Sequence, residues 1–271
     1  MISSPKQSFV NIKEFSQQDL ISLINLELNI NNKKLSNQEA FNIGSLLKLC
    51  INLKDLKINL KSNLIEDKGV SDLTINFQFS QRLTSLVLQL SYNKIGSQGT
   101  TNLGINLSKI INLTNLDINL RSNSINEYAI KGLFSGLEQC QNLKNLIINL
   151  SYNKIGHVGA ANLGQGLSNI KNLISSEIDL SYCNIKQQGA QDLGFGLGKC
   201  LKLNTLQLDL SGGQNQISDL GTSSLCIGLS NCQKLIILNL DLRSNEIHSK
   251  GILDIETTQL LTMKRRYFYK K

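Results

Sequence analysis

The chain is poor in residues that break regular structure and in motifs that build active sites. One Pro occurs in 271 residues, so neither strand ladders nor helices are interrupted where a ring would clash. No apolar run approaches the ~18 residues that span a bilayer. The opening stretch, MISSPKQSFVNIKEF, lacks the apolar core of a secretory signal, so a soluble, cytoplasmic protein is expected. Charged residues make up only 18% against 41% apolar, which excludes general disorder and supplies a core. There is no HExxH, no Cys-x-x-Cys and no nucleophile–base constellation. No catalytic residue, metal or cofactor is expected, and the chain is not expected to be an enzyme.

The formal charge is +8, a value that raises the question of nucleic acid. Five of those charges sit in the last eight residues, as Lys264, Arg265, Arg266, Lys270 and Lys271, with no acid among them. The rest is near neutral, so nucleic acid is a poor candidate partner.

What the sequence has is a repeat. Leu23, Leu53, Leu83, Leu113, Leu143, Leu173 and Leu203 stand 30 residues apart, and an eighth copy starts at Leu235 after two residues inserted around Gly212–Gly213. Each copy opens L-x-x-L-x-L-x-L-x-x-N-x-I. Leu86, Leu88 and Leu90 alternate with polar residues, the period of a half-buried strand. Then the period changes: Leu163, Leu167 and Ile170 follow helical spacing. One strand and one helix per copy cannot bury their faces alone, so neighbours must stack.

Asn is abundant everywhere, so only a recurring Asn is informative. Asn63, Asn93, Asn123, Asn153, Asn215 and Asn245 recur at the strand exit, where a carboxamide can satisfy turning backbone. Cys183 replaces it in the sixth copy and Lys33 in the first. Six residues later comes Gly69, Gly99, Gly159, Gly189, Gly221 or Gly251, read as permitting a tight turn and close approach of strand to helix.

These residues resemble the leucine-rich repeat family, in its long-repeat, ribonuclease-inhibitor-like subclass, over residues 23–262. The resemblance implies an α/β horseshoe of about eight strand–helix repeats, with a parallel sheet on the concave face and helices on the convex face. The extra x-L pair before the Asn departs from the family's strand motif and implies strands about two residues longer.

Cys50, Cys140, Cys200 and Cys232 share a slot that Ile110 and Ile170 fill elsewhere, so they read as core residues. His157 and His248 read as surface residues. Gly194, Gly196, Gly198 and Lys199 imitate a phosphate-binding loop, but Leu193 and Cys200 stand where that loop needs Gly and Ser or Thr. Gly164 and Gly166 repeat the same slots, which points to helix packing.

Outward strand positions differ between copies. One row reads Glu27, Lys57, Val87, Asp117, Ile147, Glu177, Gln207, Asn239; the next ends in Asp179, Asp209 and Asp241. A third contains Arg121 and Arg243 at strand exits. The later half of the inner face is therefore expected to be acidic at Glu177, Asp179, Asp209 and Asp241, suited to a basic partner surface or simply solvated. Tyr92, Tyr152 and Tyr182 share one slot, as interface anchors or as packing against the loop.

Residues 1–22 are read as an N-terminal cap, with a helix start at Ser16 and Asp19. Residues 263–271 are read as a basic, frayed tail, a nucleic-acid or anionic-surface contact being the less favoured alternative. The last strand's edge then stays open unless the tail, a partner or further chain covers it. The expected function is a non-catalytic scaffold or adaptor that binds another protein on its concave face, with no small-molecule substrate and no membrane span. Cytoskeletal or ciliary assemblies are one setting the resemblance implies. The alternative it implies is a Ran-type GTPase-activating protein or other small-GTPase regulator, whose functional residues do not map onto this chain.

Overall fold

The alternating segments fold as strands and the helically spaced ones as helices, in strict succession. The computed structural model describes residues 6–257 and 266–270, with backbone alone described beyond residue 253. β1 (Gln7–Phe9) and α1 (Ile12–Ser16) open the chain. Eight strand–helix pairs follow. They are β2 (Asn25–Asn29) with α2 (Asn37–Leu47), β3 (Asp55–Asn59) with α3 (Asp67–Thr74), and β4 (Ser85–Gln89) with α4 (Ser97–Leu107). Next come β5 (Asn115–Asn119) with α5 (Glu127–Leu137), β6 (Asn145–Asn149) with α6 (Gly156–Asn169), and β7 (Ser175–Asp179) with α7 (Lys186–Leu197). β8 (Thr205–Asp209) with α8 (Ser218–Ser230) and β9 (Ile237–Asp241) with α9 (Ser249–Thr257) complete the series, and β10 (Arg266–Lys270) ends it.

All ten strands form one parallel sheet in sequential order. The register is uniform: Leu56 pairs with Leu86, Leu86 with Leu116 and Leu116 with Leu146. Residues of that row and of the Ile58–Leu88–Ile118–Ile148 row are buried under the helices, which leaves the opposite face free. The result is an α/β repeat solenoid with the sheet lining the inner side of a horseshoe and the helices on the outer side.

The Asn ladder forms as its chemistry requires. The Asn153 amide donates to Leu120 O and Leu150 O at 2.9 Å, and its oxygen accepts from the backbone N of Asn123 and Ile125. At Cys183 the thiol donates to Leu150 O at 3.1 Å. The four cysteines of the shared slot are buried, and no described helix is long and apolar enough to cross a membrane.

Four expectations are corrected. First, the strands span five residues; the extra x-L pair continues the ladder beyond them, through Leu90 N to Asn119 O and Tyr92 N to Arg121 O. Second, the recurrent Gly lies inside the helix, where it answers the neighbouring helix rather than a turn: a Cβ at Gly99 would stand 2.7 Å from Asp67 Cα. Third, the cap helix ends at Ser16 and starts after Asn11, whose side chain accepts from Glu14 N at 2.8 Å. The earlier start brings Phe9 against buried Phe15, which closes that end of the core. Fourth, the tail is not frayed at residues 266–270: Arg266–Lys270 pairs in parallel with β9 and covers its edge. The expected stretch of α9 beyond Thr257 lies outside the described residues.

The Gly194–Lys199 segment is helix and the cap that follows it, as its recurrence implied. A Cβ at Gly196 would stand 2.3 Å from the Gly164 carbonyl carbon, so the glycine permits helix contact and not phosphate approach.

Candidate functional site

Because side chains alternate across a strand, the even rows go to the core and the odd rows to the inner face. Over β5–β9 those odd rows enclose an open hollow of ≈390 Å³, lined by Asp117, Ile147, Glu177, Asp179, Asp209 and Asp241 with Gln, Asn and a few aliphatic neighbours. The register sets Asp117, Ile147 and Glu177 on β5, β6 and β7, and Asp179, Asp209 and Asp241 on β7, β8 and β9, so that the two rows share β7. Ile147, 41% exposed, is an apolar floor between two acids.

The carboxylates are held by neutral groups. Asp179 accepts from the Asn149 amide at 2.7 Å and from Ser181 N at 2.9 Å. Asp209 accepts from Ser211 N at 2.8 Å, Asp117 from the Gln89 amide at 3.4 Å, and Glu177 from the Gln207 amide at 3.3 Å. None of the four is in an ion pair among the described residues. Desolvation, reinforced by Glu177, raises the Asp117 carboxyl above its ordinary value. Desolvation, with Asp179 and Asp241 beside it, does the same at Asp209.

Asp241 differs. Arg243 grips it through Nε and Nη2, the latter at 2.6 Å, so two residues expected to act separately on a partner are occupied with each other. Arg121 is likewise engaged: its Nε donates to the Tyr92 hydroxyl at 3.1 Å and its Nη1 to Ser151 Oγ at 3.2 Å.

The tyrosines form a stack along the strand exits. Lys61 lies 5.4 Å over Tyr92, the Arg121 guanidinium lies 5.9 Å from Tyr92 and 4.2 Å from Tyr152, and the Tyr152 and Tyr182 rings are 4.5 Å apart. Gly212 backs the far side of Tyr182, where a Cβ would stand 2.9 Å from the ring. All three tyrosines adopt φ 56°, a left-handed conformation that bulky residues rarely take. Both ring faces of Tyr152 and of Tyr182 thus meet a neighbour, and these two offer edges and hydroxyls.

The expected residues therefore divide into three sets. Glu177, Asp179 and Asp209 come together on the floor, Asp241 and Arg243 neutralise each other, and Tyr92, Arg121, Tyr152 and Tyr182 form one rim stack. Asp117 and Ile147 belong to the floor as well. The signal that would have found them is the row Asp117–Ile147–Glu177, which counting charge by halves of the chain divides.

Burial pushes the thiols of Cys50, Cys183 and Cys200 up to about 12 and that of Cys140 to about 11, which leaves them neutral and non-nucleophilic. Among the described residues no group of three or more His, Cys, Asp or Glu side chains is placed to hold a metal ion. His248 is exposed beside Asp219, its backbone N donating to that carboxylate at 2.7 Å.

Comparison of the chain with known protein families and with curated proteins found no match.

Proposed function

We propose that this is a leucine-rich-repeat protein of the ribonuclease-inhibitor-like type, acting as a non-catalytic scaffold that holds the basic surface of another protein on its inner face. The observation that carries the reading is the hollow over β5–β9, where Asp117, Glu177, Asp179 and Asp209 surround Ile147 without a cation partner among the described residues. Charge gathered on a concave wall speeds encounter with an opposite surface and sets its register. An aliphatic floor between the acids accommodates the stem of a Lys or Arg whose head reaches a carboxylate. A reducing, cytoplasmic setting suits six buried cysteines.

A small-GTPase regulator working through a strand-exit arginine gains no support, since Arg121 and Arg243 are both engaged internally.

The test is affinity capture from native cells with the full chain. Glu177→Lys with Asp209→Lys should lower recovery of the captured protein about tenfold or more. Asp55→Lys with Glu138→Lys, the same charge change outside the hollow, should leave recovery unchanged. Equal recovery with both pairs, each shown folded by circular dichroism, would exclude the hollow as the docking face.

A further inference from the structure

The second charged surface lies on the strand-exit rim. Each repeat passes from strand to helix through one segment, and the first six, at 30–36, 60–66, 90–96, 120–126, 150–156 and 180–186, carry at least one cation each. Lys34, Lys94 and Lys154 hold one slot in alternate repeats, Lys61 and Arg121 the strand exits between them, and Lys186 closes the row. The one acid in these segments is Glu66, which accepts from the Asn37 amide at 3.3 Å.

Among the described residues none of the six cations is in an ion pair; Arg121 donates to Tyr92 and Ser151, and Lys186 to Gln216, but these partners are neutral and leave both charges unanswered. Parallel pairing continues along this rim, in the bridges Glu66–Lys94 and Asn126–Lys154. Neighbouring strands ~4.8 Å apart thus give one cation per repeat along the stacking direction, in three slots of the segment, over roughly 25 Å. Toward the later end of the row lies a cleft of ≈400 Å³ lined by Tyr152, Tyr182, Asn126 and Gln214 among others, with Lys154 as its one charged group. Gln214 reaches it from the segment that carries the two-residue insertion.

We propose that this rim is a docking edge for an extended acidic segment of polypeptide, a run of Asp or Glu whose carboxylates meet the cation row, one of them entering the cleft at Lys154. Charge complementarity names an anion. The covered ring faces choose a carboxylate over a nucleobase, because single-stranded nucleic acid is held largely by stacking on free aromatic faces. Eight extended residues reach about 26 Å, the length of the row. The acidic hollow repels the same segment, so the rim is a separate surface and stands or falls independently of the inner-face reading.

The experiment is fluorescence anisotropy of labelled octaglutamate with the full chain, alongside labelled octathymidylate, at low and physiological salt. Octaglutamate should bind, weaken with salt, and lose about tenfold or more in affinity with Lys94→Glu plus Lys154→Glu. Lys109→Glu plus Lys171→Glu, the same charge change away from the rim, should leave binding unaltered. Absent binding, equal loss in both double variants, or rim-dependent preference for octathymidylate would each overturn the proposal. The last outcome would assign the rim to nucleic acid.

Discussion

The two ends of the inner face share a backbone and differ in what they do with charge. On β2 and β3, Glu27 is met by Lys6 at 2.6 Å and Lys57 at 2.9 Å, and those two bonds hold its carboxyl below the ordinary range. On β5–β8 the carboxylates find only amides, hydroxyls and backbone N–H groups, and two of them are raised. One end is a closed account and the other is left unneutralised. Since register and core are the same at both ends, the difference lies in the outward residues alone. That separation lets a repeat protein vary its surface without altering its frame.

The sharpest test of a shared frame is to remove its cross-link at each end. Asn63→Ala and Asn153→Ala should each cost about 3 kcal/mol, because each strands several buried backbone groups. Urea denaturation reads the cost, and a difference above roughly 1 kcal/mol would show that the two ends are not one frame.

Gly212→Ala should cost about 2 kcal/mol, because it places a Cβ on a residue at φ 104° and against Tyr182. The same denaturation series measures it. A neutral result would mean that the Tyr stack yields easily and does not order the later half.

The smallest effects should have opposite signs. Glu27→Gln should destabilise by about 0.5 kcal/mol at neutral pH, and Asp117→Asn should stabilise by a similar amount. The pH dependence follows from the directions of the shifts. Glu27, lowered in the folded state, contributes stability above its unfolded value that is lost as pH falls through its folded value. Asp117 and Asp209, raised in the folded state, cost stability when ionised, and that cost fades as pH falls through their folded values. Thermal melts of the single variants between neutral and acid pH should therefore diverge from the parent in opposite directions. Parallel curves would remove the electrostatic contrast between the ends.

How much could be read in advance follows from range. The strand–helix alternation, the Asn ladder and the cysteine slot were legible because each recurs at a 30-residue spacing that no local feature mimics. Much of the acidic floor was legible too, since parallel register aligns equal repeat positions. The Asp241–Arg243 pair was not, because two side chains on one strand exit can face apart or together. The covering of the tyrosine faces was not legible either: it depends on Arg121 leaning between Tyr92 and Tyr152, and on Gly212 in a slot others fill with side chains. At the termini the repeat gives no register, so the Asn11 cap and the pairing of residues 266–270 escaped it.

Composition and periodicity alone settle that the chain winds into stacked strand–helix units with aliphatic rows inward, because burial of those rows admits no other register. Which charges remain unanswered was decided only in three dimensions, because neutralisation depends on which side chains meet across strands within a few ångströms, a distance no spacing along the chain records.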